Sequence, residues 1–152
     1  METKLIIDNQ SVAASGGATF DRIHPTTGEV VTRAAAGSVR DAEAAVDSAQ
    51  IAFQSWSATG PTERRRILLK AADLLEARTP QFIEVMAKEV GASDLWAGFN
   101  VMLAANLFRE AASLATQIQG ETIPTDKPGA LSMTVRQPVG VSAIICPFNF
   151  PG

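Results

Sequence analysis

The residues with the greatest chemical potential stand at the end of the chain, where Cys146 is followed by Pro147-Phe148-Asn149-Phe150-Pro151. Proline fixes φ, removes a backbone donor and keeps the residue before it out of the helical region, so Asn149 sits on a stiff turn. A carboxamide held in place can donate a hydrogen bond to the oxyanion that develops when a nucleophile adds to a carbonyl. Asn149 is therefore a candidate oxyanion donor. The plainer reading of such a residue is an Asn that caps a following helix, and it is the more frequent one. Cys146 lies inside an apolar run, where a thiol is usually a small buried hydrophobe and its thiolate is disfavoured. His24, the only histidine, stands beside Pro25 with no cysteine or carboxylate cluster, and reads as a solvated turn residue.

What positions Asn149 is the run before it. Val139 to Cys146 is unbroken apolar and small sequence, too short for an ordinary helix and fenced by Pro138 and Pro147. It predicts a strand buried on both faces, as in a parallel sheet, and open parallel sheets bind ligands at the carboxyl ends of their strands. Upstream, Leu131, Met133 and Val135 alternate with Ser132, Thr134 and Arg136, the period of a half-exposed strand that needs a partner. The segment from Glu121 to Ala130, with Pro124, Pro128 and Gly129, reads as an irregular connection.

The middle of the chain is helical. Ser38 is a candidate N-cap, Asp41 falls in the first turn, and Ala42, Ala45, Val46, Ala49, Ala52, Phe53 and Trp56 share one face. Gly60-Pro61 opens a second helix with Glu63 at its positive end and Ile67, Leu68, Ala71, Leu74 and Leu75 as its apolar stripe. Thr79-Pro80 starts a third, with Phe82, Ile83, Val85, Met86 and Val90 inward and Gly91 placed to stop it. Ser93 caps a long helix to about Gln119, whose stripe is Trp96, Phe99, Leu103, Leu107, Ala111, Leu114 and Ile118, with Asn100 and Asn106 partly exposed. Before Ser38 the chain predicts a hairpin over Lys4 to Val12 about Asp8-Asn9-Gln10, and a loose joint at Ser15-Gly16-Gly17. A strand over Thr19 to Ile23 and a turn over His24 to Gly28 follow, and Val30-Val31 resumes extended chain.

Composition narrows the function classes. A chain of 152 residues with 46% hydrophobic content can bury one sizeable core. With 13 basic and 16 acidic residues and no long basic run, nothing favours nucleic acid. Arg64-Arg65-Arg66 reads as the polar face of a helix. No apolar stretch approaches membrane-spanning length, the N-terminus lacks a signal-peptide pattern, and one cysteine allows no internal disulfide. A cytoplasmic home is the default expectation.

Pro138-Val139-Gly140-Val141 followed by Pro147-Phe148-Asn149-Phe150-Pro151 resembles the Pro-x-Gly-Val and Pro-Trp-Asn-Phe-Pro segments of the NAD(P)-dependent aldehyde dehydrogenases. Phe148 stands where most members have Trp. The resemblance extends upstream in the right order. Phe20 to Val31 resembles the family's opening Asn-Pro-x-Thr-Gly-Glu segment with His24 in place of its Asn, Asp41 to Trp56 its alanine-rich helix ending Ala-Phe-x-x-Trp, and Pro61 to Leu75 its Pro-x-x-Arg-x-x-x-Leu helix. Among its members the nearest in character oxidise aromatic aldehydes, such as salicylaldehyde or vanillin.

The resemblance implies an α/β fold, the N-terminal part of a Rossmann-like cofactor domain with short N-terminal strands, a group of helices and the first parallel strand. Residues 1–120 would belong to that domain, 121–137 to an oligomerisation arm implying a homodimer or homotetramer, and 138–152 to the first sheet strand and its turn. It implies that Asn149 is the side-chain half of an oxyanion hole and that the backbone of Ile145, Cys146, Pro147 and Phe148 lies along the nicotinamide ribose of NAD or NADP. It also implies that the long helix contributes to a substrate tunnel, with Met102, Leu103 and Asn106 as candidates. The reaction so implied oxidises an aldehyde to the carboxylic acid through a Cys thiohemiacetal. Its nucleophilic Cys and general-base Glu have no counterpart here, and no Gly-x-Gly-x-x-Gly occurs. The chain is thus expected to be the N-terminal portion of a longer enzyme and inactive alone. The alternative is a non-catalytic fragment that acts as a binding or assembly module. No metal site, nucleic-acid partner or membrane partner is expected.

Overall fold

The computed structural model describes residues 1–146. At the N-terminus, β2 (Leu5–Ile7) and β3 (Gln10–Val12) form an antiparallel hairpin. Asp8 and Asn9, at φ 53° and 58°, make its two-residue turn, and both residue types tolerate the left-handed backbone that such a turn demands. A three-stranded sheet follows in the order β1 (Glu2–Thr3), β5 (Val30–Ala35), β4 (Thr19–Ile23). β4 and β5 are antiparallel, as neighbours joined by the His24–Gly28 turn must be, and β1 joins β5 in parallel, a pairing absent from the sequence reading.

Four helices carry most of the chain: α1 (Val39–Ser57), α2 (Pro61–Ala77), α3 (Thr79–Val90) and α4 (Asp94–Leu114). Their starts follow the local signals. Ser38 and Asp41 form a reciprocal capping box, Pro61 and Pro80 stand in first turns, and Ser93 Oγ accepts from Trp96 N–H at 3.3 Å. Gly91, at φ 66°, closes α3. The end of α4 comes earlier than its sequence suggests: Gln117 N–H bonds to Leu114 C=O at 2.9 Å, a tighter turn that stops the helix.

Packing around α4 departs from its hydrophobic pattern. The helix lies against α2 and α3, and its buried residues are Ala97, Asn100, Val101, Ala105 and Ala112. Trp96, Phe99, Leu107, Leu114 and Ile118 are exposed. Small side chains allow close approach of helix axes, so they form the seam and the larger apolar stripe faces away from it. Asn100, expected to be partly exposed, is 1% exposed and donates from Nδ2 to Trp96 C=O at 2.8 Å. A helix apolar on both sides is one built to be covered on both.

Arg64 also differs from its expected place on a polar face. Arg65 and Arg66 remain exposed, whereas Arg64 turns inward, donating from Nη2 to the carbonyls of Trp56 at 3.2 Å and Ser57 at 3.1 Å. Its guanidinium lies 5.6 Å from the Trp56 ring centroid. Arg64 thereby satisfies carbonyls at the C-terminus of α1 and fixes the α1–α2 corner. Arg109 performs a similar join between α4 and α2, pairing with Glu76 at 2.6 Å and Asp73 at 3.4 Å. Both contacts are exposed, so they set register more than they stabilise.

The joint at Ser15-Gly16-Gly17 is a short 3-10 turn tied to α1. The Asp41 carboxylate accepts from Ser15 N–H at 3.1 Å and Ser15 Oγ–H at 2.7 Å, and from Ser38 N–H at 2.7 Å and Ser38 Oγ–H at 2.8 Å. Bonds from Ser38 and Ser15 to the charged form hold its carboxyl far below the usual carboxylate range. The stability this gives is fully present above about pH 4, the ordinary Asp value, and is lost as pH falls from there through the depressed folded value. Asp41→Asn should therefore lower the urea midpoint at pH 7, with the gap to the parent narrowing below about pH 4. A gap that stays constant through that range would remove Asp41 as the acidic anchor.

β6 (Thr122–Ile123) and β7 (Ser132–Met133) form a second antiparallel hairpin. The partner that the Leu131–Arg136 alternation called for thus lies within the segment expected to be irregular. The strand is shorter than its pattern, and its partner stops at Pro124, which has no N–H to pair. Gly120 approaches the Thr134 carbonyl so closely that a Cβ would have no room, and Glu121 N–H bonds to Thr134 Oγ1 at 2.8 Å. Close approach, rather than helix termination, accounts for this glycine.

Candidate active site

The segment that leads to Asn149 is extended and exposed. Residues 138–146 form no strand, and Val139, Ile144 and Ile145 are open to solvent, Ile145 at 96% exposure. The expectation of a strand buried on both faces is not met in this chain. The physical reason is that a strand exists only through the hydrogen bonds of its neighbours, and none of the described residues pairs with this one. Cys146, expected to be a buried hydrophobe, is exposed for the same cause. Of the five site residues inferred from sequence, Ile145 and Cys146 are thus placed in an open, extended segment. Pro147, Phe148 and Asn149 lie outside the described residues.

The second candidate surface is α4. Met102 and Asn106 are exposed and Leu103 is half-buried, all away from the seam formed by Ala97, Val101 and Ala105. Asn106 Oδ1 accepts from Arg109 Nη1 at 3.4 Å. On the same outward side Trp96 and Phe99 stack, with centroids 5.5 Å apart and planes at 25°. The helix thus presents an apolar, partly aromatic wall with one amide on it. Among the described residues no group of three His, Cys, Asp or Glu could hold a metal ion, and no helix is long and apolar enough to cross a membrane.

The sequence profile of the aldehyde dehydrogenase family matches residues 12–152. The chain belongs to that family. It is 62% identical over 149 residues to a salicylaldehyde dehydrogenase of Pseudomonas sp. (strain C18), covering 98% of this chain and 31% of that protein. It is 53% identical over 151 residues to a vanillin dehydrogenase of Pseudomonas fluorescens, covering 99% and 31%. A crystal structure of a salicylaldehyde dehydrogenase from Pseudomonas putida G7 complexed with salicylaldehyde superposes with a TM-score of 0.90 at 62% identity, over 92% of this chain and 29% of that one. The mixed α/β arrangement of four helices and small sheets therefore matches the N-terminal part of aldehyde dehydrogenase structures. The chain spans about a third of the length of these relatives.

Within this aldehyde dehydrogenase chain, His24 takes a structural part. Its Nδ1 accepts from Thr26 N–H at 3.2 Å and Thr27 N–H at 3.3 Å. This is the bonding an Asn side chain makes in an Asx turn, so an imidazole can stand where the family motif has Asn. The residues that sequence reasoning missed were Asp41 as the tether of Ser15 and Arg64 as the cap of α1. Their signals, a carboxylate three residues after a cap and an arginine three after a helix-opening proline, identify position but not the distant partner.

Proposed function

We propose that these residues are the N-terminal portion of an oxidoreductase that converts an aldehyde, aromatic in class, to the carboxylic acid. The observation that carries this reading is the 62% identity to a salicylaldehyde dehydrogenase over 98% of the chain. In the reaction a cysteine thiolate from outside this sequence adds to the carbonyl, forming a C–S bond and an oxyanion. Asn149 donates its amide N–H to that oxyanion. Loss of hydride from carbon leaves a thioester, and water activated by a carboxylate cleaves it to acid and thiol. A bound nicotinamide cofactor would supply the hydride acceptor. The backbone of Ile145, Cys146, Pro147 and Phe148 would hold its ribose, and the first two are exposed. NAD-dependent members among the structural neighbours support a cofactor of this kind.

Residues 1–120 then belong to the cofactor-binding domain and 138–152 to its first strand and turn, whose bare apolar face is met by the remaining sheet. Residues 121–137 form part of an oligomerisation arm in a homodimer or homotetramer. Met102, Leu103 and Asn106 on α4 face the substrate. The test is to isolate the protein from its natural source and assay salicylaldehyde, vanillin and an aliphatic aldehyde with NAD⁺ and with NADP⁺. Acid formation with the aromatic substrates is expected, and its absence with every aldehyde would overturn the reading. A second reading, a non-catalytic assembly module, draws on the large apolar surface left open on α1, α4 and residues 139–146. A natural product of 152 residues that binds related subunits without turnover would favour it.

A further inference from the structure

Phe99, Met102, Leu103 and Asn106 lie at three-and-four spacing on α4, outside the seam formed by Ala97, Val101 and Ala105. Asn106 is the one amide of that stripe, and its sense is set from the neighbouring helix. Arg109, one turn on, is held by α2: its Nη1 and Nη2 donate to the Glu76 carboxylate at 2.7 and 2.6 Å, and Nη2 also to Asp73 at 3.4 Å. The same Nη1 donates to Asn106 Oδ1 at 3.4 Å. That bond is long, yet it decides which way the amide faces. A guanidinium carries only donors, so an amide turned round would set its NH2 against an N–H. The free end of Asn106 is therefore Nδ2, which donates to none of the described residues.

An amide N–H on an apolar wall favours a ligand that brings an acceptor and penalises one that leaves the donor unpaired once water is excluded. We propose that Asn106 is a specificity-determining residue whose Nδ2 donates to an oxygen substituent on the ring of the aldehyde, a hydroxyl or a methoxy group, with Arg109 as the residue that positions it. The inference rests on the reading that α4 faces the substrate. It narrows that substrate from aromatic aldehydes in general to those with an acceptor oxygen on the ring.

The test is steady-state kinetics of the full enzyme that contains these residues, with salicylaldehyde and vanillin, which carry such an oxygen, and with benzaldehyde, which does not. The parent is expected to favour at least one of the oxygenated aldehydes over benzaldehyde in kcat/KM. Asn106→Leu should cut that ratio roughly 3–10-fold, the net worth of one hydrogen bond. Asn106→Asp keeps the shape and the Arg109 contact but puts an acceptor where the donor stood, so it should cut the ratio at least as far and decides the matter if Asn106→Leu fails to fold. Arg109→Lys keeps the charge without the planar fork and should lose part of the ratio; a ratio unmoved there would return Arg109 to a join between helices. A parent that shows no preference, or a ratio that Asn106→Asp leaves as it is, would overturn the proposal alone. A parent inactive on all three aldehydes would overturn the reading beneath it as well.

Discussion

Asn149→Ala, made in an active aldehyde dehydrogenase that contains these residues, is expected to lower kcat by roughly 10²–10³-fold, the usual cost of one oxyanion donor. The argument rests on charge that is present only in the addition step. The aldehyde oxygen carries little charge when bound and nearly a full charge once the thiolate has added. A donor aimed at the later position therefore acts on turnover more than on binding. The KM for the cofactor should change little, because the ribose contact is assigned to the backbone of Ile145 to Phe148. Steady-state kinetics on one aromatic aldehyde at saturating cofactor measure this directly. A variant with near-parental kcat would return Asn149 to the plainer part of capping a helix.

The second large effect is expected at Gly91, where two costs combine in one substitution. Its φ of 66° lies in the left-handed region, which costs a residue with a Cβ about 1–2 kcal/mol. A Cβ there would also stand 2.8 Å from Cγ of Pro25, and overpacking of that kind typically costs a further ~1–3 kcal/mol. Gly91→Ala should therefore shift the urea midpoint markedly downward. Adding Pro25→Ala removes the ring carbon that the new methyl meets, so the double variant should recover the steric part and retain the backbone part. If the two substitutions prove additive, the turn and the end of α3 do not touch. The contact matters for the site because Gly91 sets the angle at which α4, carrying Trp96, Phe99 and Leu103, leaves α3.

Much of the local structure was legible in the residues themselves. The Asp8-Asn9 turn, the Ser38 and Ser93 caps, the prolines in the first turns of α2 and α3, and the Gly91 stop each express preferences of the few residues involved. The order of motifs from His24 to Pro151 carried the family. The candidate site was legible as residue types, an amide between prolines after an apolar run, and that carried the chemistry proposed for it. Its geometry was not: Val139 to Cys146 pair with none of the described residues, and a strand exists only through its neighbours.

What the sequence by itself determined is therefore where helices and turns begin and end, which family the chain belongs to, and which side chain is a candidate for carbonyl chemistry. Only the tertiary structure decided which apolar face of α4 is buried, since Ala97, Val101 and Ala105 permit an approach between helices that Trp96 and Leu107 would block. It alone joined Asp41 to Ser15, Arg64 to the end of α1, and Thr122 to Met133. The physical reason is the range of the forces involved. Caps, turns and proline restraints act within about four residues and are written where they act. Helix approach, the β6–β7 pairing and the Asp41 tether depend on partners more than 10 positions away, whose identity no local pattern carries.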